Sequence, residues 1–480
     1  MKSQQKCIMI FALVCCFAIL VALIFSAVDL WGEDEDGITE DNCSKNCRIV
    51  LVENIPEDVS YWDNSTAYLP LSMGLHSLLD LAFRSVEIVT PDWVLNSSDA
   101  EPGISKQGQY LFQRLQGLRA RKINLKVASD HPDSSELKSL TAHGAEVHYV
   151  NMTVLTRGYI HSSFWVVDRK HVYFGSAGMD WRSLSKMKEL GVIIYNCSCL
   201  AMDLHRIFAL YWGLQYKDFL PSIWSKRLTA VYNKEKTLSL LFNNTKANVY
   251  LSSSPDAFCP RERTRDIDAI FRMIQDAQRF IYISVTDYLP LISKGRLRSD
   301  NFNMSRYWSR IDGMLREALI LRGIKVRLLV SCWKHTHPFT FNFLWSLKSL
   351  CMDMPNCSLE VKFFSLKDQR NVTSQGVNRN KFMVTDSAVY IGNVDWVGNE
   401  FVYNAGAGLV ISQAEGLEER NATVVEQVKV AFERDWHSRH TKSLQANKVP
   451  DCSKHGASPP LPPKALTDSQ DGKQSANAPL

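Results

Sequence analysis

This chain has little excess charge of either sign: 55 Lys and Arg face 50 Asp and Glu over 480 residues, a formal net charge of +5. No dense basic patch breaks the balance; Arg261, Arg263 and Arg265 form a short charged stretch that reads as a solvated loop. Bulk charge therefore does not by itself point to a nucleic-acid binder, and it leaves room for a local basic groove. Also missing is a His spaced to complete a zinc site with the close pairs Cys43/Cys47 and Cys197/Cys199, so no metal or cofactor is expected. At 45% hydrophobic and 22% charged residues the composition is globular rather than disordered. The length exceeds one ordinary core and implies two or more domain-sized units.

One long apolar run stands against those absences. Cys7 to Val28 carries 22 residues without a charge, enough to cross a bilayer as a helix. Ile24-Phe25-Ser26-Ala27 fits a small-x-small cleavage site poorly, so the run reads as a retained signal-anchor. Lys2 and Lys6 precede it, and Asp29, Glu33, Asp34, Glu35 and Asp36 follow. Positive charge stays cytoplasmic, so the expectation is a single-pass type II membrane protein of the secretory or endolysosomal system, lumenal or extracellular after Leu30. Asn-x-Ser/Thr sequons at Asn42, Asn64, Asn96, Asn151, Asn196, Asn243, Asn303, Asn356, Asn371 and Asn421 agree with that orientation and are candidate glycosylation sites. Nine of the twelve cysteines lie beyond the run: Cys43, Cys47, Cys197, Cys199, Cys259, Cys332, Cys351, Cys357 and Cys452. An oxidising lumen favours disulfides among them, and the odd number leaves at least one thiol over.

Beyond an acidic stalk the chain alternates strand-like and helix-like segments. Ser85–Val89, Ile123–Ala128, Ala145–Val150, Phe164–Val167, His171–Phe174 and Val192–Tyr195 read as strands. Helical patterns cover Gly108–Lys122, Ser134–His143 and Leu200–Tyr216. The second half repeats the order, with strands at Phe280–Val285, Lys325–Leu329, Leu359–Phe364, Phe382–Val384, Ala388–Ile391 and Gly408–Ile411. Its helices fall at Ile267–Ala277, Ser309–Leu321, Phe341–Leu350 and Val424–Arg434. Matching order in two halves implies duplication, and alternating β and α implies layered α/β domains. The expected divisions are a cytoplasmic tail over 1–6, a transmembrane helix over 7–28, a stalk over 29–42, halves over 43–245 and 246–452, and a Pro/Ser/Lys/Gln-rich disordered tail over 453–480.

The two halves share a motif. His161-Ser-Ser-Phe-Trp-Val-Val-Asp168 leads to Gly175-Ser-Ala-Gly178-Met-Asp-Trp181, and Arg379-Asn-Lys-Phe-Met-Val-Thr-Asp386 leads to Gly392-Asn-Val-Asp395-Trp396. Each reads as a polar residue, a hydrophobic strand, an acid, a short turn, a second strand and a polar loop. Phe164, Trp165, Trp181 and Trp396 read as packing residues rather than a base-stacking platform.

On these residues the chain resembles the phospholipase D superfamily, whose halves each carry His-x-Lys-x4-Asp/Glu followed by Gly-Ser/Thr-x-Asn. The runs Lys188-Glu-Leu-Gly-Val and Tyr195-Asn-Cys-Ser-Cys199 are similar to its type II membrane subgroup. The resemblance implies two pseudo-symmetric α/β sandwich halves preceded by a transmembrane helix. It also implies disulfides of Cys43 and Cys47 with Cys199 and Cys197, and of Cys332 with Cys452. Chemistry in such a family uses one imidazole as nucleophile and a second as acid. Lysines and asparagines steady the phosphate oxygens, and the acids orient the histidines.

Half of the expected set is missing. His161, Asp168, Lys381 and Asp386 match, whereas Ser163 and Gly178 replace a lysine and an asparagine, and Arg379 and Asp395 replace a histidine and an asparagine. Arginine stays protonated and can neither attack phosphorus nor pass on a proton near neutral pH. The expectation is thus a membrane glycoprotein with a vestigial site and a binding, scaffolding or regulatory role. The alternative is a weak phosphodiesterase acting on phospholipid or single-stranded nucleic acid through His161. A weak phosphate-containing ligand held by His161, Arg379 and Lys381, and a homodimer or mixed dimer with active paralogues, are the further partner expectations; no specific nucleic acid is expected.

Overall fold

The structure, a computed structural model, describes residues 13–21, 43, 46–57, 59–61, 67–96, 105–221, 224, 226–293, 305–366, 376–413, 423–445 and 452. The run Phe164-Trp-Val-Val167 has no polar residue to turn towards water, so it belongs inside a sheet covered on both faces. All four residues are buried, as are all of Phe382–Thr385 in the second half. Each strand is central to its sheet. The first sheet has the order Leu69–Pro70, Arg48–Asn54, Glu189–Tyr195, His171–Gly175, Phe164–Val167, Ser85–Val89, Asn124–Ser129, Glu146–Tyr149. The second runs Leu238–Phe242, Thr245–Ser254, Gly406–Ser412, Ala388–Gly392, Phe382–Thr385, Phe280–Val285, Lys325–Ser331, Leu359–Phe364, Thr441–Ser443.

Seven neighbouring strands of one sheet match seven of the other, from Arg48–Asn54 to Glu146–Tyr149 and from Thr245–Ser254 to Leu359–Phe364. In both, the first four pairings are antiparallel and the last two parallel. The parallel pairs need crossovers, and helices Lys106–Gln116 and Ser309–Arg322 supply equivalent ones. The sheet faces divide the work. Trp165, Val167 and Tyr173 pack under helices Leu71–Leu81 and Lys106–Gln116. Phe164, Val166 and Phe174 face the other way, into a core shared with the second half and with helices Ser198–Trp212 and Val424–Trp436. The aromatic residues of the motif are packing residues: Phe164, Trp165, Trp181 and Trp396 are all buried.

Two sequence readings need correction. No helix among the described residues is long and apolar enough to cross a membrane. Of Cys7–Val28 only residues 13–21 are described. The preceding transmembrane helix, the membrane partner and the type II localisation built on it are therefore not supported, and the tail over 1–6, the stalk up to Asn42 and the tail from Ser453 lie outside the described residues. Arg263 is not solvated: its side chain is 1% exposed and forks onto both carboxylate oxygens of Asp203 at 2.7 and 3.0 Å.

Disulfides join Cys43 to Cys199, Cys47 to Cys197, Cys332 to Cys452 and Cys351 to Cys357. The first two clamp the chain leading into Arg48–Asn54 against the start of helix Ser198–Trp212, closing loops of 156 and 150 residues. Cys259 stays a thiol, with Sγ 3.1 Å from the Ser253 carbonyl oxygen.

Candidate functional site

The motif strands begin at the seam between halves, and backbone bonds are exchanged there in matched pairs. His161 N donates to Ala405 O and Arg379 N donates to Lys188 O, both at 2.8 Å. The flanking bridges Ile160↔Ala405 and Asn378↔Lys188 repeat the same relation with the halves interchanged. Positions 161 and 379 thus hold equivalent places on the two sides of the seam.

His161 finds its carboxylate across the seam. Its Nδ1 lies 2.5 Å from Glu400 Oε2, on helix Gly398–Tyr403, and 3.4 Å from Asn404 Nδ2. Burial opposes the charged imidazole, but Glu400 outweighs it and raises the His161 pKa above the ordinary value. Burial likewise disfavours the Glu400 anion, and His161 more than offsets that, so the carboxyl lies below its usual range. The imidazole side chain remains 33% exposed, with its orientation fixed through Nδ1.

The motif acids lie elsewhere. Asp168 and the next residue, Arg169, have φ of 52° and 50°, a tight turn that aims the Asp168 carboxylate at the N–H groups of Phe83, Arg84 and Ser85, at 2.7–2.8 Å. Asp386 accepts in the same way from Gln278 and Arg279, each at 3.0 Å. Each fastens the entry of the adjoining strand, and about 13 Å of extended strand separates it from the seam. Neither orients position 161 or 379.

The other motif positions are bound into the seam. Ser163 donates to Ala177 O and is 2% exposed, so it presents nothing to a ligand. A Cβ at Gly178 would stand 3.1 Å from Asp92 Oδ2. That same Asp92 oxygen is 3.5 Å from Arg379 Nη1. Burial acts against the guanidinium charge, but Glu189, Asp92, Asp180 and Asp395 outweigh it and hold the Arg379 pKa above its ordinary value. Asp395 Oδ1 accepts from Thr286 N and Asp287 N at 2.9 and 3.1 Å, and its Oδ2 is 3.7 Å from Lys381 Nζ. His161, Arg379 and Lys381 therefore each face a carboxylate.

Glu400, Asn404, Asp92, Asp287 and Glu189 are site residues that sequence reasoning missed. A signal existed for two of them: Val89-Thr-Pro-Asp92-Trp93 and Ser284-Val-Thr-Asp287-Tyr288 occupy equivalent places after paired strands. Among the described residues no group of three or more His, Cys, Asp or Glu is arranged to hold a metal ion. Of the sequons, Asn96, Asn151, Asn196, Asn243 and Asn356 are exposed, and Asn243 also exchanges side-chain bonds with both backbone groups of Ile49. Asn42, Asn64, Asn303, Asn371 and Asn421 lie outside the described residues.

The family described as PLD3/4, PLD-like domain matches residues 63–369. Inactive phospholipase D5 of Mus musculus is 54% identical over 94% of this chain and 84% of its own length. The 5'-3' exonuclease PLD3 of Xenopus laevis is 39% identical over 92% and 91% of the two chains. In fold, the phosphatidylserine synthase of Haemophilus influenzae Rd KW20 superimposes with a TM-score of 0.51 at 12% identity, covering 78% of this chain and 85% of that one.

Proposed function

This chain belongs to the PLD-like family of PLD3/4 type, and on that premise we propose that it is a catalytically inactive member with a non-catalytic, binding or regulatory role. The observation that carries the reading is Arg379. It occupies the place of the second histidine, opposite His161 at the seam, and Asp92 and Glu189 keep it charged. A permanently protonated guanidinium cannot cycle between acid and base near neutral pH, and losing an acid/base partner alone costs about 10²–10⁴ in rate. Asp395 adds an anion where a phosphate oxygen would need a donor, and Ser163 and Gly178 supply neither charge nor amide. The similar mouse protein, whose name carries the word inactive, supports the same reading.

The test is direct. The purified full chain is incubated with 5'-labelled single-stranded DNA, phosphatidylcholine vesicles and bis-p-nitrophenyl phosphate, beside a His161→Ala variant. Equal and background-level product from both proteins is expected. Turnover by the unaltered chain that disappears in His161→Ala would overturn the reading and restore a one-histidine phosphodiesterase.

A further inference from the structure

The strand Lys325–Ser331 is followed by a short loop that runs to helix Pro338–Ser349 and carries Trp333, Lys334, His335 and His337. At its start Cys332 donates its N–H to Phe364 O at 2.8 Å and is bonded to Cys452. Thr336 braces it from within: its hydroxyl accepts from Trp333 N at 3.0 Å and donates to Ser331 O at 3.2 Å. The loop reaches the seam through the Trp333 indole, whose Nε1 donates to Asp287 Oδ1 at 3.1 Å. Asp287 sits in turn against a second carboxylate, since its own N–H donates to Asp395 Oδ1.

We propose that Asp287 is a proton-operated latch on this loop: ionised, it holds the Trp333 indole, and protonated, it lets the loop go. The bond to an ionised carboxylate is charge-assisted, and protonation leaves a neutral oxygen that is a weaker acceptor. The groups facing Asp287 come from several elements. Asp395 stands before Trp396–Val397, Lys381 before Phe382–Thr385, and Glu400 on helix Gly398–Tyr403. On the loop itself His335 lies edge-on to Trp333 with ring centroids 4.8 Å apart, and His337 caps the next helix by accepting from Phe339 N.

Burial first, and then Asp395, push the Asp287 carboxyl up to about 7; the Trp333 bond and Lys381 pull the other way, and Glu400 adds to the rise. The second carboxylate is one of the replacements that removed the phosphate clamp. An amide at 395 would leave Asp287 without that repulsion, so the latch and the loss of chemistry share a cause. The latch itself stands whether or not the seam turns over any substrate.

Indole N–H resonances of the 15N-labelled full chain read the latch, with Trp333 identified by its absence in Trp333→Phe. The expected result is a Trp333 signal that titrates with a midpoint near 7, following the Asp287 carboxyl. Asp287→Asn should make that signal independent of pH, and Asp395→Asn should lower the midpoint by about one unit. His335→Gln should leave it in place. A signal constant from pH 5 to 9, a midpoint that survives Asp287→Asn, or one abolished by His335→Gln overturns the proposal. Should Asp287→Asn fail to fold, the direction of shift in Asp395→Asn decides.

Discussion

His161 and Glu400 form a close pair, Nδ1 to Oε2 at 2.5 Å, although 239 residues separate them and they belong to different halves. The imidazole of the first motif is oriented by the second half of the chain. Its own motif acid, Asp168, serves instead as an anchor for three backbone N–H groups at the head of Ser85–Val89.

Replacing Glu400 should therefore be felt at His161. Glu400→Gln removes the charge that raises the imidazole pKa, so the His161 midpoint in a 1H–13C titration should fall. The sign carries through to stability. A raised histidine pKa gives stabilisation that is complete below about 6.5 and is lost as pH rises through the folded value. The depressed Glu400 pKa gives stabilisation present above its unfolded value and lost as pH falls through the folded one. Denaturation of Glu400→Gln against the unaltered chain should show its largest deficit between those limits.

Asp287→Asn should stabilise the fold in mildly alkaline solution. With a folded pKa of about 7 against an ordinary 3.8, the native state holds the proton more tightly than the unfolded chain. Stability from this group is complete below the unfolded value and falls as pH rises towards 7, by on the order of a few kcal/mol. The variant should match the unaltered chain near pH 4 and exceed it at pH 8 in urea titrations.

Asp203 and Arg263 offer a test of a buried pair. Asp203→Ala strands a guanidinium that is 1% exposed and should cost about 3–5 kcal/mol. The double replacement Asp203→Leu with Arg263→Met should recover most of that loss, because a buried pair and a well-packed apolar pair are close in free energy. Chemical denaturation of the two variants separates these outcomes.

Restoring the motif should restore chemistry only when done completely. Arg379→His alone leaves Asp395 beside the phosphate position and should yield no activity. Ser163→Lys, Gly178→Asn, Arg379→His and Asp395→Asn together should exceed the unaltered chain by at least about 10²-fold on single-stranded DNA. The side chain introduced by Gly178→Asn must displace Asp92, and removing Arg379, which pairs with Asp92 at 3.5 Å, makes that possible.

Much of the architecture was legible because both central strands are uninterrupted apolar runs followed by an acid and a turn, a pattern local enough to find twice. Phe164–Val167 and Phe382–Thr385 fall where that pattern puts them. The edge strand Leu238–Phe242 escaped notice, since its alternating burial leaves some of its side chains in water. Four replaced motif positions could be named from sequence because their spacing is fixed by the strand. Glu400 could not, since it lies on a six-residue helix whose place beside His161 is set by the pairing of halves. Arg263 misled for a related reason: three arginines at alternate positions look solvated, and only the packing of helix Ser198–Trp212 turns the middle one inward, onto Asp203.

The exchanged bonds at Ala405 and Lys188 have a consequence for how such a chain drifts. They are made by main-chain N–H and C=O groups, which every residue except proline supplies alike. These bonds at the join therefore do not depend on which side chains stand at 163, 178, 379 and 395. A seam sewn through the backbone lets a protein shed its chemistry and keep its shape, and the shape is then open to other uses.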